Sequence, residues 1–449
     1  MSIIQPLYEE SIVIMKTKFI KLSYILFWTC LTVVLSSTSI IAQSDPITVS
    51  VDASSELGEI SPFIFGINHG PWSEVSLQMT DAAKALDFTF LRWPGGNWGD
   101  RYNITKPQID LYMIQAQNWG AIPSVHVRLE GGTPEQAAEL VNYANIEKEY
   151  GIKYWYIGNE PNLFDDYTVE RFNTEWRATA LAMRAVDPDI VLIGPEVSQF
   201  PDTTQNDPNM YLRDEWVREF LTMNSDLVDI ISVHRYPFPL SMAGDPTTIE
   251  QMRNNVPRWS TVVSNLRSII EETVDEDFPI AFTEVNSHWS NSGGSIASPD
   301  SYYNAIWWSG VLTTLIHEKV DIVTYFILSS VGANGPFGIL DRYKPRPTYY
   351  TYILYKEIGN VRLQSESSDP FVTALATKRD DGATTLLVTN LYEEAIDVTL
   401  DLSGITDVQL QDMRLLSPEV MAESVVGDNY LNNNILQIPA QSVILMIFE

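Results

Sequence analysis

Short apolar runs recur along most of the chain, and each is followed by a longer stretch with helical periodicity. Runs of this length predict buried β-strands, and helices between them predict repeated βα units. Eight such units are the number that closes a parallel (β/α)8 TIM barrel. The runs occupy 63–68, 88–93, 122–127, 153–158, 190–195, 229–234, 279–285 and 322–328.

The stretches between the runs carry helix signals. In the clearest, Thr133 is a suitable N-cap, Pro134 a suitable first residue and Gly151 a stop, with apolar positions at i, i+3, i+4 and i+7 between them. A doubly wound open sheet is the competing α/β fold, but no Gly-x-Gly-x-x-Gly follows an early run. Further helices are predicted near 74–86, 167–186, 210–223, 248–272 and 301–318.

The pattern changes after Gly359, where short alternating strands are separated by Asp-Gly and Asn-rich turns. This pattern of short strands and turns predicts a β-sandwich over 360–449. A similar alternation near the start, in "ITVSVDASSEL", predicts that 44–60 supplies a further strand to that sandwich. The (β/α)8 catalytic barrel is therefore expected over 61–359.

The first 43 residues have the layout of a secretory signal. A basic segment begins at Met15, and an apolar run and small residues follow, with cleavage expected near Ala42 or Gln43. Residues before Met15 are interpreted as an over-long start. A membrane anchor is the alternative, although the apolar run is short for a span. We expect a secreted or periplasmic protein whose mature chain has lost its single cysteine, Cys30.

The net charge of the chain limits the classes of partner that it can bind. The chain has 28 basic and 58 acidic residues and a formal net charge of −30, which repels nucleic acid and anionic membranes. We therefore expect no nucleic-acid partner and no membrane contact after signal cleavage. The five histidines are scattered, without His-x-His or His-Glu-x-x-His, so neither a metal nor another cofactor is expected. The oligomeric state is not indicated.

Polar residues end the apolar runs. In a parallel barrel the carboxyl ends of the strands meet on one face, so these residues are expected to share a pocket. The set consists of Asn68 and His69, Arg92 and Trp93, His126 and Arg128, Asn159 and Glu160, Glu196, His234 and Tyr236, and Glu284 and Asn286.

Two carboxylates across a pocket suit glycoside hydrolysis, because one donates a proton to the leaving oxygen and the other attacks the anomeric carbon or activates water. Glu160 follows an aromatic run that favours its protonated form. Glu284 needs donors that keep it ionised, and Arg92 and Tyr236 are expected beside it. Glu196 is interpreted as a loop residue or as a group behind those that touch the substrate.

The motifs around these residues resemble those of the clan A retaining glycoside hydrolases. "GNEP" at 158–161 and "TEVN" at 283–286 are similar to that clan's acid/base and nucleophile motifs. "ISPFIFGIN" and "LRWPGGN" resemble α-L-arabinofuranosidases, "GNEPNLF" and "VLIGPEV" resemble heparanase-like glucuronidases, and "SVHRY" is similar to both. The likeness runs from about residue 46 to the C-terminus.

The resemblance implies retention of anomeric configuration, with Glu160 as acid/base and Glu284 as nucleophile. It also implies that Asn159 binds the sugar 2-hydroxyl and that Arg92 supports Glu284. Many clan members carry a tryptophan at the end of strand eight, where this chain reads "TYFILSS". An aromatic side chain is expected to replace it, the candidates being Tyr325, Phe326 and loop residues such as Trp289.

The predicted substrate contacts combine the strand-end residues with aromatic platforms. Trp72, Trp93, Trp98 and Trp289 are each either a sugar-stacking surface or a core residue. The substrate-binding set is Asn159, Arg92, Trp93, Asn97, Asn68, His126, His234, Tyr236 and Trp289.

The sequence thus predicts a secreted, cofactor-free retaining glycoside hydrolase that degrades a polysaccharide or oligosaccharide, resembling α-L-arabinofuranosidases. One alternative is a carbohydrate-binding barrel without catalysis. Others are a glucuronidase or endo-acting glycanase of the same clan, and a metal-dependent barrel hydrolase. The sugar, the linkage and the choice between exo and endo action stay open.

Overall fold

The structure, a computed structural model, describes residues 46–202, 208–238, 246–289, 293–330, 335–404, 409–427 and 429–449. The predicted signal segment and Cys30 lie outside the described residues. From Ile47 to Glu449 the chain forms one unit. Among the described helices, none has the length and apolar character needed to span a bilayer.

Eight parallel strands form a closed barrel in sequence order, with the last strand pairing with the first through Gly66 and Thr324. The predicted (β/α)8 barrel is confirmed. Strand β1 (Ile47–Glu59) belongs to the second domain. The barrel strands are β2 (Gly66–Asn68), β3 (Phe90–Trp93), β4 (Ile122–Val127), β5 (Tyr154–Ile157), β6 (Val191–Val197), β7 (Ile230–Arg235), β8 (Ile280–Val285) and β9 (Ile322–Tyr325).

The first predicted run is only partly a strand. Residues Pro62–Phe65 form a 3-10 turn, because Ser61 accepts a hydrogen bond from the Phe63 amide and Pro62 fits the first helical position. The turn places the Phe63 ring against Phe90 and Tyr154, with centroids 5.1 and 5.5 Å away. Phe63 therefore packs against the apolar residues that fill the barrel interior.

Helices connect the strands. The structure divides the predicted helix at 248–272 into two around Pro257, because proline has no amide hydrogen for the helical ladder. The helices are α1 (Thr80–Ala85), α2 (Trp98–Arg101), α3 (Lys106–Trp119), α4 (Pro134–Val141), α5 (Val169–Val186), α6 (Pro208–Asn224), α7 (Ile249–Asn255), α8 (Arg258–Val274), α9 (Tyr302–His317) and α10 (Pro347–Tyr355).

Helix α4 begins as expected, with the Thr133 side chain accepting from the Gln136 amide and Pro134 in the first position. It ends at Val141 and continues as a π-helical turn over Asn142–Glu147, short of the predicted stop at Gly151. The capping residues therefore predict where this helix starts better than where it ends.

The second domain is a sheet of ten strands that curls around its own apolar core, which confirms the prediction of an additional C-terminal β-domain. The strands form one hydrogen-bonded sheet instead of two separate layers. β1 lies inside it, antiparallel to β10 and parallel to β13. The remaining strands are β10 (Val361–Ser367), β11 (Val372–Lys378), β12 (Thr384–Asn390), β13 (Ile396–Ser403), β14 (Leu410–Leu416), β15 (Met421–Ser424), β16 (Leu431–Asn432), β17 (Ile435–Ile438) and β18 (Ser442–Phe448).

Helix α9 joins the two domains. It is apolar around nearly its whole circumference, as expected for a helix covered on all sides. The Tyr303 hydroxyl donates to the Leu391 carbonyl at 2.8 Å, and the hydroxyls of Ser309 and Thr389 are 2.7 Å apart. The sheet thus covers the outer side of a helix whose inner side packs on the barrel.

Candidate active site

Arg92, on β3, lies at the centre of the site. Its guanidinium is fully buried and binds four side chains in a fork. Burial alone would lower the pKa of Arg92, but the charges of Glu196 and Glu284 raise it, so the guanidinium keeps its charge. Nη1 donates to Asn68 Oδ1 at 2.9 Å and Glu284 Oε1 at 2.8 Å, and Nη2 donates to Asn159 Oδ1 at 2.8 Å and Glu196 Oε2 at 2.5 Å.

Glu284, on β8, is held by three donors. Its Oε1 accepts from Arg92 and, at 2.6 Å, from the Gly96 amide, while its Oε2 accepts from the Tyr236 hydroxyl at 2.8 Å. Donors to both oxygens favour a carboxylate anion of fixed orientation. Arg92 and Tyr236 thus lie where the sequence predicts them. The Gly96 amide is an additional donor, and its φ of 67° is in the region that favours glycine.

Glu160 lies just past β5 in a left-handed conformation, with φ 49° and ψ 51°. Burial raises the pKa of Glu160, and the charge of Glu284 adds to this, while His234 acts in the opposite direction. Its side chain retains 12% exposure, so it can be reached from solvent. One carboxyl oxygen of Glu160 lies within 4.8 Å of one carboxyl oxygen of Glu284. The site therefore pairs an acid that tends to stay protonated with a well-held anion.

His234, on β7, connects two carboxylates. Its Nδ1 is 3.2 Å from Glu160 Oε1, and its Nε2 is 3.1 Å from Glu196 Oε2. Burial alone would lower the pKa of His234, but the charges of Glu284 and Glu196 raise it to about 9. The ring is therefore an imidazolium at neutral pH, with both N–H groups donating.

Ligand atoms of Glu160, His234 and Glu284 lie within 4.8 Å of one another, close enough to surround a metal ion. A metal binds the lone pair of a neutral imidazole, so it would have to displace a proton from His234. Both oxygens of Glu284 already accept hydrogen bonds from protein donors. These three side chains are therefore better suited to hydrogen bonds within the protein than to binding a metal ion.

Asn159 is fixed from three sides. Its Oδ1 accepts from Arg92, its Nδ2 donates to Asn97 Oδ1 at 2.9 Å, and its amide donates to Asp100 Oδ2 at 2.7 Å. Asp100 also accepts from the Leu129 amide at 2.9 Å and so joins the ends of two barrel strands. Sequence reasoning missed Asp100, because an aspartate in the short helix α2 carries no motif that marks it as buried.

Three predicted substrate contacts are buried inside the protein. The Asn68 amide donates to the carbonyls of Thr283 and Thr324 at 3.0 Å and accepts from Arg92. Trp93 stacks on Tyr112, with ring centroids 4.7 Å apart, in the core. His126 is buried with Nε2 3.5 Å from Asp100 Oδ2, and its ring nitrogens have no hydrogen-bond partner in the described part of the chain. These positions support roles in packing and in holding Arg92.

Phe326 occupies the place expected for an aromatic platform. A Cβ added to Gly96 would lie 3.3 Å from the Phe326 ring and 3.7 Å from Glu284 Oε1, so this ring borders the carboxylate. Tyr325 instead is buried and accepts from the Asn304 amide at 2.9 Å. Trp289, in the loop after β8, is 49% exposed and precedes residues outside the described set.

Two other predicted platforms form a strip beside the site. The rings of Trp72 and Trp98 stack at 6.5 Å with an interplanar angle of 26°, and Tyr102 lies 5.2 Å from Trp98. Both tryptophans are partly exposed, and Trp98 follows Asn97, the partner of Asn159. The strip therefore starts close to the charged centre.

Comparisons with known proteins identify the family of this chain. Residues 139–391, more than half of the chain, match the family described as Glycosyl hydrolases family 39, and the matched region contains both Glu160 and Glu284. A beta-xylosidase from Caldicellulosiruptor saccharolyticus is 23% identical over 349 residues, which are 72% of this chain and 61% of the relative. A beta-xylosidase from Geobacillus stearothermophilus is 23% identical over 316 residues, 64% of this chain and 56% of the relative.

The chain thus spans less than two thirds of these two relatives. An intracellular exo-alpha-(1->5)-L-arabinofuranosidase from Streptomyces lividans is 27% identical over 202 residues, 35% of this chain and 29% of the relative. Among solved structures, an alpha-L-arabinofuranosidase from Thermotoga maritima has a TM-score of 0.69 at 18% identity, covering 89% of this chain and 99% of that one. A Paenibacillus polymyxa xyloglucanase has a TM-score of 0.69 at 15% identity, covering 90% and 99%. These structures share the fold.

Proposed function

Because the chain belongs to glycosyl hydrolase family 39, we propose that it hydrolyses glycosidic bonds with retention of anomeric configuration. The observation that carries the proposal is the separation of at most 4.8 Å between oxygens of Glu160 and Glu284. Retaining glycosidases hold their two carboxyl groups about 5–5.5 Å apart, whereas inverting enzymes need about 6.5–9.5 Å to admit a water molecule between them. The short separation supports direct attack by a carboxylate.

In the first step Glu284 attacks the anomeric carbon and forms a glycosyl ester. The donors on both of its oxygens hold the carboxylate in a fixed orientation for the attack. Glu160 gives its proton to the departing oxygen, a task for which its raised pKa is suited. Asn159, oriented by Arg92 and Asn97, is the proposed contact for the sugar 2-hydroxyl.

In the second step the glycosyl ester is hydrolysed. The Glu160 carboxylate takes a proton from water, and the hydroxide oxygen bonds to the anomeric carbon as the ester bond to Glu284 breaks. Two displacements at one carbon restore its original configuration. Glu160 ends the cycle protonated and Glu284 ends it ionised, as both began.

Pentosides are the proposed substrates. The relatives comprise beta-xylosidases and arabinofuranosidases, and xylose and arabinose are both pentoses. β-D-Xylosides and α-L-arabinofuranosides, free or at the ends of plant polysaccharides, are therefore the first candidates. Comparing kcat/KM on aryl β-D-xyloside, α-L-arabinofuranoside and β-D-glucuronide separates this proposal from a glucuronidase, and a barrel that binds xylan without turnover would contradict both.

We further propose export through a signal in residues 1–43, from their basic, apolar and small-residue order. N-terminal sequencing of the protein recovered outside the cytoplasm would show a start near Gln43. Recovery of the full-length chain in membranes would support the anchor instead.

A pair of alanine variants tests the two-step mechanism with an activated aryl glycoside and azide. Glu284→Ala should lose at least about 10³-fold in kcat, and azide should restore turnover with a glycosyl azide of inverted configuration. Glu160→Ala should instead give a glycosyl azide of retained configuration, because azide then attacks the glycosyl ester. Near-normal turnover by Glu284→Ala, or inversion by the wild-type enzyme in an NMR time course, would refute the assignment.

A further inference from the structure

A third carboxylate lies at the centre of the site, and the double displacement does not use it. Glu196, on β6, is fully buried. Its Oε2 accepts from Arg92 at 2.5 Å and from His234 at 3.1 Å, and its Oε1 accepts from the Thr283 hydroxyl at 2.5 Å. Placing an ion here carries a desolvation cost that is offset only because each oxygen is paired.

The charges of five side chains balance only when Glu196 is included. We call Arg92, Glu160, Glu196, His234 and Glu284 the charge cluster. With Glu160 protonated, two cations face two anions in it. Without Glu196, two buried cations would face one anion, and His234 would release its proton, since arginine cannot lose its own in a protein.

The balance persists through the proposed reaction. When Glu160 passes its proton to the leaving oxygen it becomes an anion, while Glu284 loses its charge in the ester bond to the anomeric carbon. When water then returns a proton to Glu160, its oxygen bonds to the anomeric carbon and Glu284 regains its charge. The charge cluster therefore has the same net charge in the free enzyme and in the glycosyl-enzyme.

We infer that Glu196 is a positioning residue whose charge keeps His234 an imidazolium throughout the cycle, so that Glu160 meets a cation 3.2 Å away whenever it is ionised. This inference rests on the proposed function. His234 Nδ1 is also 3.8 Å from Glu284 Oε2, and Tyr236 follows two residues later, just past the end of β7. Among these neighbours, only Glu196 keeps its charge in every state of the reaction while contacting the ring directly.

The first experiment measures the charge state of His234 directly. The chain has five histidines, few enough to assign by ¹⁵N-imidazole NMR with His234→Gln as reference. His234 should be doubly protonated at pH 7.5 in the wild-type enzyme. In Glu196→Gln, which preserves side-chain shape, its proton affinity should fall about tenfold or more. A neutral His234 in the wild type would overturn the inference without any Glu196 variant.

Thr283→Val is the matched control. It removes the hydrogen bond to Glu196 Oε1 and leaves the charge in place. His234 should therefore remain protonated at pH 7.5 in this variant. An equal loss of proton affinity in both variants would mean that Glu196 acts through packing alone, and the inference would be withdrawn.

Kinetics give a second readout. On an aryl glycoside with a good leaving group, hydrolysis of the glycosyl-enzyme limits kcat. The fall of kcat on the acid side of its pH profile, here called the acid limb, then reports the protonation of Glu160. Glu196→Gln should move that limb upward by about one pH unit, because Glu160 loses its cationic partner, and Thr283→Val should leave it in place. An enzyme without turnover on any glycoside would refute the proposed function, whereas active enzymes with unchanged limbs and unchanged His234 titration would refute this inference alone.

Discussion

At the scale of single residues, the shape of the Arg92 side chain matters as much as its charge. Two nitrogens of one planar fork reach two carboxylates and two amides at 2.5–2.9 Å. Lysine presents its donors from a single nitrogen, and so cannot span these acceptors. Arginine at this position therefore fixes the relative positions of groups that lie on, or just after, four different strands.

We expect Arg92→Lys to lower kcat at least about hundredfold, the usual effect of losing one donor to a reacting charge. Steady-state kinetics and thermal denaturation would measure the effect. Arg177→Lys is the control, because Arg177 binds Asp226 at the surface, where such pairs contribute about 0–1 kcal/mol. Equal activities of the two variants would contradict the central role of Arg92.

The candidate site residues at the strand ends could largely be predicted from the sequence, whereas the side chains that they contact could not. Glu160, Glu284 and Tyr236 stand in local motifs whose chemistry is recognisable. Arg92 contacts Glu196 across 104 residues and Glu284 across 192, and no local pattern encodes such distances. Asp100 and the Gly96 amide were missed for the same reason, since only the closed barrel brings them to the site.

At the scale of elements, the loop between β3 and α2 places a backbone donor against the carboxylate of Glu284. Gly96 keeps a positive φ while its amide points at Glu284, and the Phe326 ring closes the space where a side chain would extend. This loop therefore depends on glycine for both its conformation and its clearance.

Gly96→Ala should lower kcat by about ten- to a hundredfold and the free energy of unfolding by about 1–2 kcal/mol, because the amide must move away from Glu284. Gly120→Ala is matched, since Gly120 also has positive φ, 72°, but nothing lies within 4 Å of an added Cβ. That control should lose similar stability and keep its activity. Loss of activity in both variants, or in neither, would count against a role for the Gly96 amide.

Element types followed from periodicity wherever one face is clearly apolar. Helix α3 was not predicted, because Leu111 and Ile114 are exposed on the side that a clean stripe would leave polar. Helix α10 was also not predicted, since its run of tyrosines resembles a strand as much as a helix. In both cases the packing of the barrel, not the local pattern, decides the conformation.

At the scale of the whole molecule, the charge cluster links stability to pH. The pKa of His234 rises from 6.5 to about 9 on folding, so its stabilising effect is complete below pH 6.5 and is lost as the pH rises through about 9. The pKa of Glu196 is held well below its usual 4.5, because Arg92 and His234 outweigh the effect of burial. Its stabilising effect is present above pH 4.5 and is lost as the pH falls further.

The melting temperature should therefore decline between about pH 7 and pH 10, and calorimetry across that range would measure the decline. The melting temperature of the His234→Gln variant should decline less over the same pH range, because glutamine has no proton to lose in that range. The same alkaline slope in both proteins would show that His234 does not contribute it.

The global architecture was predictable in outline, because eight strand and helix units and a terminal β-region leave few alternatives. The single curled sheet was not predictable, since alternation predicts strands and leaves their pairing open.

The most distinctive strand of this sheet is β1, which lies between β10 and β13. The Thr48 amide in β1 donates a hydrogen bond to the Ser368 hydroxyl, 320 residues further along the chain. Strand β1 is thus synthesised long before β10 and β13, the two strands with which it pairs. Until β10 and β13 have been synthesised, both edges of β1 lack their partners, so the closure of this sheet is a late and non-local folding step.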